Sequence, residues 1–144
     1  MARAIKQRTA VRNDQQPFQE SVIRLGGDNT AAFTRAITTL PFNAEIVGVD
    51  IFADTEVTEH AANYWTFSLQ AGATVLASTD TETGEGGTLS AESARALDLT
   101  STIADRDVAN GTMLTLVGTP ATAESGADLS AVSLGVIVRY QPVD

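Results

Sequence analysis

Three groups of acidic side chains lie close enough along the chain to suggest chemistry: Asp54, Glu56 and Glu59; Asp80, Glu82 and Glu85; Asp105 and Asp107. A glycosidase needs one such acid with a raised pKa and a second carboxylate held across the sugar from it. Raising a carboxyl pKa takes an apolar wall, and these acids lie in Thr- and Gly-rich stretches that encode none. They read as solvated loop charge. Calcium is the other chemistry open to clustered acids. Asp105-Arg106-Asp107 and Asp80-Thr81-Glu82 alternate oxygen ligands, but neither continues into an EF-hand loop with its closing Glu, so no metal is expected.

Nucleophilic catalysis finds no better footing. His60 is the sole histidine and there is no cysteine. No G-x-S-x-G elbow frames any serine, so a hydroxyl–imidazole relay would rest on the presence of His60 alone. The glycines of Gly26-Gly27-Asp28-Asn29 and Gly84-Glu85-Gly86-Gly87 lack the Gly-Lys-Ser/Thr ending of a phosphate loop. Lys6, the only lysine, stands in the polar N-terminal stretch, a poor place for Schiff-base chemistry. The expectation is a protein that is not an enzyme, with no cofactor and no small-molecule substrate.

Tyr64 and Trp65 raise one binding alternative, because sugars stack on exposed aromatic faces. In a strand these neighbours point to opposite sides. Trp65 would share its side with Phe67 and Leu69 and belong to the core. Tyr64 would then be a lone surface ring.

The elements that must position these groups follow from composition and pattern. The chain has 144 residues, 43% of them hydrophobic, and a net charge of −9. That length fits one domain with an adequate core. The charge divides along the chain. Residues 1–24 carry five basic groups (Arg3, Lys6, Arg8, Arg12 and Arg24) against two acids, a balance of +3, whereas 25–144 carry four against sixteen, −12. A basic polar arm, residues 1–20, therefore precedes an acidic body, residues 21–144. Four cations spread over the arm make a weak phosphate footprint, and the body would repel a duplex, so nucleic acid is not an expected partner. No apolar stretch approaches the roughly 20 residues of a membrane span, and no apolar region follows the N-terminal basic residues as in a secretory signal. No membrane partner is expected.

From Phe18 on, the pattern is mostly β. Ser21–Leu25 is a short apolar run. Ala31–Thr38 places Phe33, Arg35 and Ile37 together as a strand, with a short helix after Thr30 as the competing reading. Glu45–Ala53 places Val47, Val49, Ile51 and Ala53 on one face. Asn63–Gln70 places Trp65, Phe67 and Leu69 together, and Thr74–Ala77 continues after Gly72. Ser78–Thr88 is expected as a long exposed loop or hairpin tip. Ser90–Leu97 has the spacing for one or two helical turns capped by Ser90. Thr112–Val117 and Leu129–Tyr140 complete the set, the latter aligning Val132, Leu134, Val136, Val138 and Tyr140. Short strands separated by Gly, Asx and Thr turns predict an all-β, antiparallel sandwich of jelly-roll type with an extended N-terminal arm.

The segments Pro41–Ala53, Asn63–Leu69, Val108/Gly111/Leu114/Leu116 and Val138/Tyr140/Pro142, in that order over residues 40–142, resemble the small jelly-roll decoration, or cement, proteins of tailed-bacteriophage capsids. Thr112 departs from that pattern, which often has Asp after the glycine. The resemblance implies a virion protein on the outer surface of the head. It would be a homotrimer bound to the lattice of the major capsid protein, reinforcing contacts between capsomers. Arg3, Lys6, Arg8 and Arg12 would then be charge contacts of the arm, and Pro17 and Phe18 its anchor. The alternative is a carbohydrate- or receptor-binding β-sandwich module of a virion fibre.

Overall fold

The computed structural model describes residues 30–122 and 127–143, together with the strand backbone of 18–24. Ten strands follow one another: β1 (Phe18–Arg24), β2 (Phe33–Thr39), β3 (Ala44–Ala53), β4 (Trp65–Ala71), β5 (Thr74–Asp80), β6 (Arg95–Ala96), β7 (Asp98–Leu99), β8 (Asp107–Val108), β9 (Met113–Pro120) and β10 (Ser133–Pro142). A single 3-10 turn, Ile103–Arg106, is the only helical element among the described residues. The strands form two antiparallel sheets. One has the order β1-β10-β3-β6, with β8 also on β3; the other has the order β2-β9-β4-β5-β7.

One core joins the two sheets. Ile46, Val49 and Ile51 of β3 and Leu134, Val136 and Val138 of β10 face Trp65, Phe67 and Leu69 of β4 and Leu114 and Leu116 of β9, all at most 1% exposed. Alternate residues on these strands turn outward, the period-two pattern of sheets that cover each other on one side only. Trp65 sits at the centre of an aromatic group, its ring centroid 5.7 Å from Phe33 and 6.1 Å from Phe67. Its Nε1–H donates to the Ala127 carbonyl at 2.8 Å, so the buried indole leaves no donor unmet.

Three expectations need correction. Ser90–Leu97 is extended, not helical. Ala91 bridges to Ala53, Glu92 takes a left-handed φ of 56°, and the Glu92 and Leu97 N–H groups donate to the Ala53 and Val49 carbonyls. Strand β3 needs a partner on that side, and its ladder outweighs a weak local helix preference. Val47 does not share the core face with Val49. The β3–β10 register shifts between Arg139 (opposite Gly48) and Tyr140 (opposite Ile46), leaving Val47 as the extra residue of a bulge. Ile46 and Ala44 turn inward instead. Finally, Ser78–Thr88 is not one long exposed loop: β5 runs to Asp80, and Thr81 is fully buried. Residues 33–39 are strand, which settles the strand-or-helix alternative there, with a bulge at Ile37.

Candidate interaction surfaces

Five of the six arm residues singled out by sequence, Arg3, Lys6, Arg8, Arg12 and Pro17, lie outside the described residues. Phe18 opens β1, in register with Arg139 across the ladder. The arm thus joins the sandwich on an edge strand of the first sheet. The surfaces that the described residues offer are two sheet faces and the loops between them.

The outer face of the first sheet is charged. Arg139 of β10 forms an ion pair and hydrogen bond with Asp50 of β3, and Gln141 Nε2–H donates to Glu45 Oε2 at 2.9 Å. The Asp50 carboxylate raises the Arg139 pKa above its already high usual value. Phe52 and the half-buried Ile137 lie on the same face, with Phe52 directly across from Gly135.

The outer face of the second sheet is different in kind. One register row runs Thr34–Val117–Ser68–Ser78, and the next runs Ala36–Thr115–Gln70–Val75. Neither row holds an ionisable side chain on these four strands. Among the described residues, charge enters at the margin, at Asp98 on β7 and Asp80 at the end of β5. Gln70 Nε2–H donates to Ser68 Oγ at 3.0 Å, a hydrogen bond made within the face. Val75 and Met113, two of the three exposed large apolar side chains among the described residues, project from it.

At one end of the sandwich, the loop after β3 and the loop after β5 are tied together. The Val57 and Leu89 backbones pair in both directions at 3.0 Å, and His60 N–H donates to the Thr81 carbonyl at 3.0 Å. His60 is bound into the local backbone. Its Nδ1 accepts the Ala62 and Asn63 backbone N–H groups at 3.0 and 2.9 Å and fixes the turn before β4. Asp80 Oδ1 likewise accepts two backbone donors, Glu82 at 3.0 Å and Gly86 at 2.9 Å. Arg95 completes this knot, donating from Nη1 to the Asp80 carbonyl at 2.7 Å and from Nη2 to the Gly87 carbonyl at 2.9 Å. Burial lowers the Arg95 pKa, opposed by the nearby Asp80 charge.

Sequence reasoning counted Arg95 only as one of the body's few cations. The signal that could have found its role was the glycine density of 84–87. A Cβ on Gly86 would lie 2.0 Å from the Asp80 carbonyl oxygen, so this turn closes directly on the strand end.

Asp54, placed with the acidic groups above, is a strand-end latch. Ser133 N–H donates to its Oδ1 at 2.7 Å, and its own N–H donates to the Ser133 carbonyl at 3.1 Å. The first bond holds its carboxyl below the ordinary value. Glu56 accepts from the Thr58 hydroxyl at 3.2 Å. Asp105 and Asp107 border a hollow of about 280 Å³ at the opposite end, and Asp80, Glu85 and Asp98 border another of about 240 Å³. Among the described residues no three His, Asp or Glu side chains are grouped to hold a metal ion.

Trp65, fully buried, offers no platform to a sugar, and Tyr64 is half-buried. Compared with protein-family models, curated proteins and solved structures, the chain matches none.

Proposed function

We propose that this chain is a capsid decoration protein of a tailed bacteriophage. It binds the outside of the assembled head as a homotrimer and reinforces contacts between subunits of the major capsid lattice. The observation that carries the proposal is the strand order. The first long strand pairs with the last (β1–β10) and the second with the next to last (β2–β9). The third pairs with short strands of the β6–β8 region, and the fourth with the fifth. A double-stranded ribbon wrapped into two sheets has this nesting, which supports the jelly-roll reading. Jelly rolls also occur in lectins, and a fold does not fix a function. The charge division of the chain favours the capsid reading over a sugar-binding one.

The mechanism is linkage. A protein that binds the assembled shell and not its free subunits stabilises the shell by RT ln(1 + [L]/Kd), about 2.7 kcal/mol at a hundredfold excess over Kd. Several binding points per trimer add avidity. Arg3, Lys6, Arg8 and Arg12 make the charge contacts of the arm, and Pro17 and Phe18 anchor it to β1. The body supplies the platform, one end of which is tied by the Asp54–Ser133 and Arg95–Asp80 contacts.

The test is a thermal disassembly curve of shells built from the major capsid protein of the same genome. Adding the intact chain should raise the disassembly temperature, and a chain lacking residues 1–16 should raise it less while keeping the same β-type circular dichroism. An unchanged disassembly temperature with saturating intact chain would refute the function. Equal effects of the two chains would remove the arm from it.

A further inference from the structure

We propose that the outer face of the second sheet, centred on Thr115 and Val117, is the contact between copies of this chain. The proposal deepens the multimeric part of the reading above; it does not need the capsid to be the final partner.

The argument begins with charge. Residues 25–144 carry sixteen acids against four bases, so two such bodies repel each other least where neither presents charge. The two central register rows of this face, on β2, β9, β4 and β5, hold no ionisable side chain. The opposite outer face holds Glu45, Asp50 and Arg139, whose burial against a like copy would strip water from three ionised groups. Interface centres are depleted in charged residues and rimmed by polar ones, and here the acids Asp80 and Asp98 lie at the margin.

The residue types point the same way. Thr115, Val117 and Thr34 are β-branched, with few rotamers to lose when covered. Gln70 Nε2–H already donates to Ser68 Oγ within the face, so that one donor and that acceptor need not lose a partner when the surface dries. Val75 is 43% and Met113 45% exposed, apolar area that a second copy would remove from water. Because most side chains of the two central rows are short, another sheet can approach to the roughly 10 Å of face-to-face packing.

The test is molar mass by light scattering after size exclusion. The intact chain should run as a multimer. Thr115→Glu and Val117→Glu should each shift it toward the 15.1 kDa monomer with melting temperature and circular dichroism retained. Ile137→Glu, which adds the same charge to the other sheet's outer face, should leave the multimer intact. A second measurement does not rely on planted charge. Thr34→Cys, in a chain otherwise free of cysteine, should react slowly with a thiol reagent at high protein concentration and faster on dilution. A monomeric intact chain, glutamate variants that stay multimeric, or labelling independent of concentration would overturn the inference. Glutamate variants that keep the mass but lose shell binding would also overturn it, assigning the face to the capsid and leaving the capsid reading standing. Dissociation by both variants without any shell binding by the intact chain would uphold this inference and refute that reading.

Discussion

Phe52 on β3 stands directly across from Gly135 on β10, and a Cβ on the glycine would lie 2.0 Å from the ring Cζ. The second sheet repeats the arrangement. Phe33 on β2 stands across from Gly118 on β9, where a Cβ would lie 2.2 Å from the ring Cε1. In each case the ring occupies the space a side chain would take. The two locks differ in where the ring can go. Phe33 is 6% exposed and wedged against Trp65 and Phe67, whereas Phe52 is half-buried on an outer face. Gly118→Ala should therefore cost about 1–3 kcal/mol through overpacking. Gly135→Ala should cost under about 1 kcal/mol, because the Phe52 ring can swing outward into solvent. Urea melts of both variants check this; equal losses would mean that the Phe33 pocket yields as easily as the open face.

Asp54 should give the fold an acid-sensitive component. Its folded pKa is lowered from 3.8, chiefly by the hydrogen bond from the Ser133 backbone. A depressed carboxyl pKa stabilises the fold fully above the unfolded value, and that contribution is lost as pH falls through the folded one. Asp54→Asn should thus melt below the parent at neutral pH, with the gap closing as pH drops below 3.8 toward the lowered value. A gap independent of pH would show that the carboxylate charge plays no part.

Arg95 should matter more to the loop at 82–88 than to the sandwich. Removing it as Arg95→Met leaves the Asp80 and Gly87 carbonyls without their charged donor, a loss of about 1.5–3 kcal/mol per bond at most. Amide exchange should accelerate within 82–88 while the β9 and β10 amides keep their protection. Arg95→Lys should rescue little, because a single ammonium cannot reproduce the two-pronged guanidinium contact. Full rescue by lysine would mean that only the charge counts.

Trp65 is the sole tryptophan and fully buried, so it reports on the core without interference. Native emission should be blue-shifted and resist quenching by acrylamide, moving red in one step on unfolding. Trp65→Phe should cost about 1–3 kcal/mol, because the Ala127 carbonyl loses its indole donor as the ring shrinks. Readily quenched native emission would contradict the placement of Trp65 in the core.

The sandwich was legible wherever burial alone decides the pattern. In β4 and on the buried face of β10 the core residues recur at every second position, and the structure keeps that phase; in β9, where Met113 and Val117 alternate against Leu114 and Leu116, it is the leucine face that is buried. The pattern misled where backbone pairing decides. Val47 fits the alternation of Val49 and Ile51, and nothing in those residue types announces a bulge one position before Gly48. Ser90–Leu97 has helical spacing, but the open side of β3 lies far off in sequence, and the bond from Glu92 N–H to the Ala53 carbonyl overrides local preference. Of the candidate surfaces, the arm was visible as charge. The uncharged face was not, since it assembles from four strands whose outward residues become neighbours only through register.

Cosedimentation of the purified intact chain with empty shells, assembled from the major capsid protein of the same genome, tests the central claim most directly. The chain should pellet with the shells in saturable, fixed stoichiometry and stay in the supernatant with unassembled capsid protein. A chain that remains in the supernatant at every shell concentration would contradict the account.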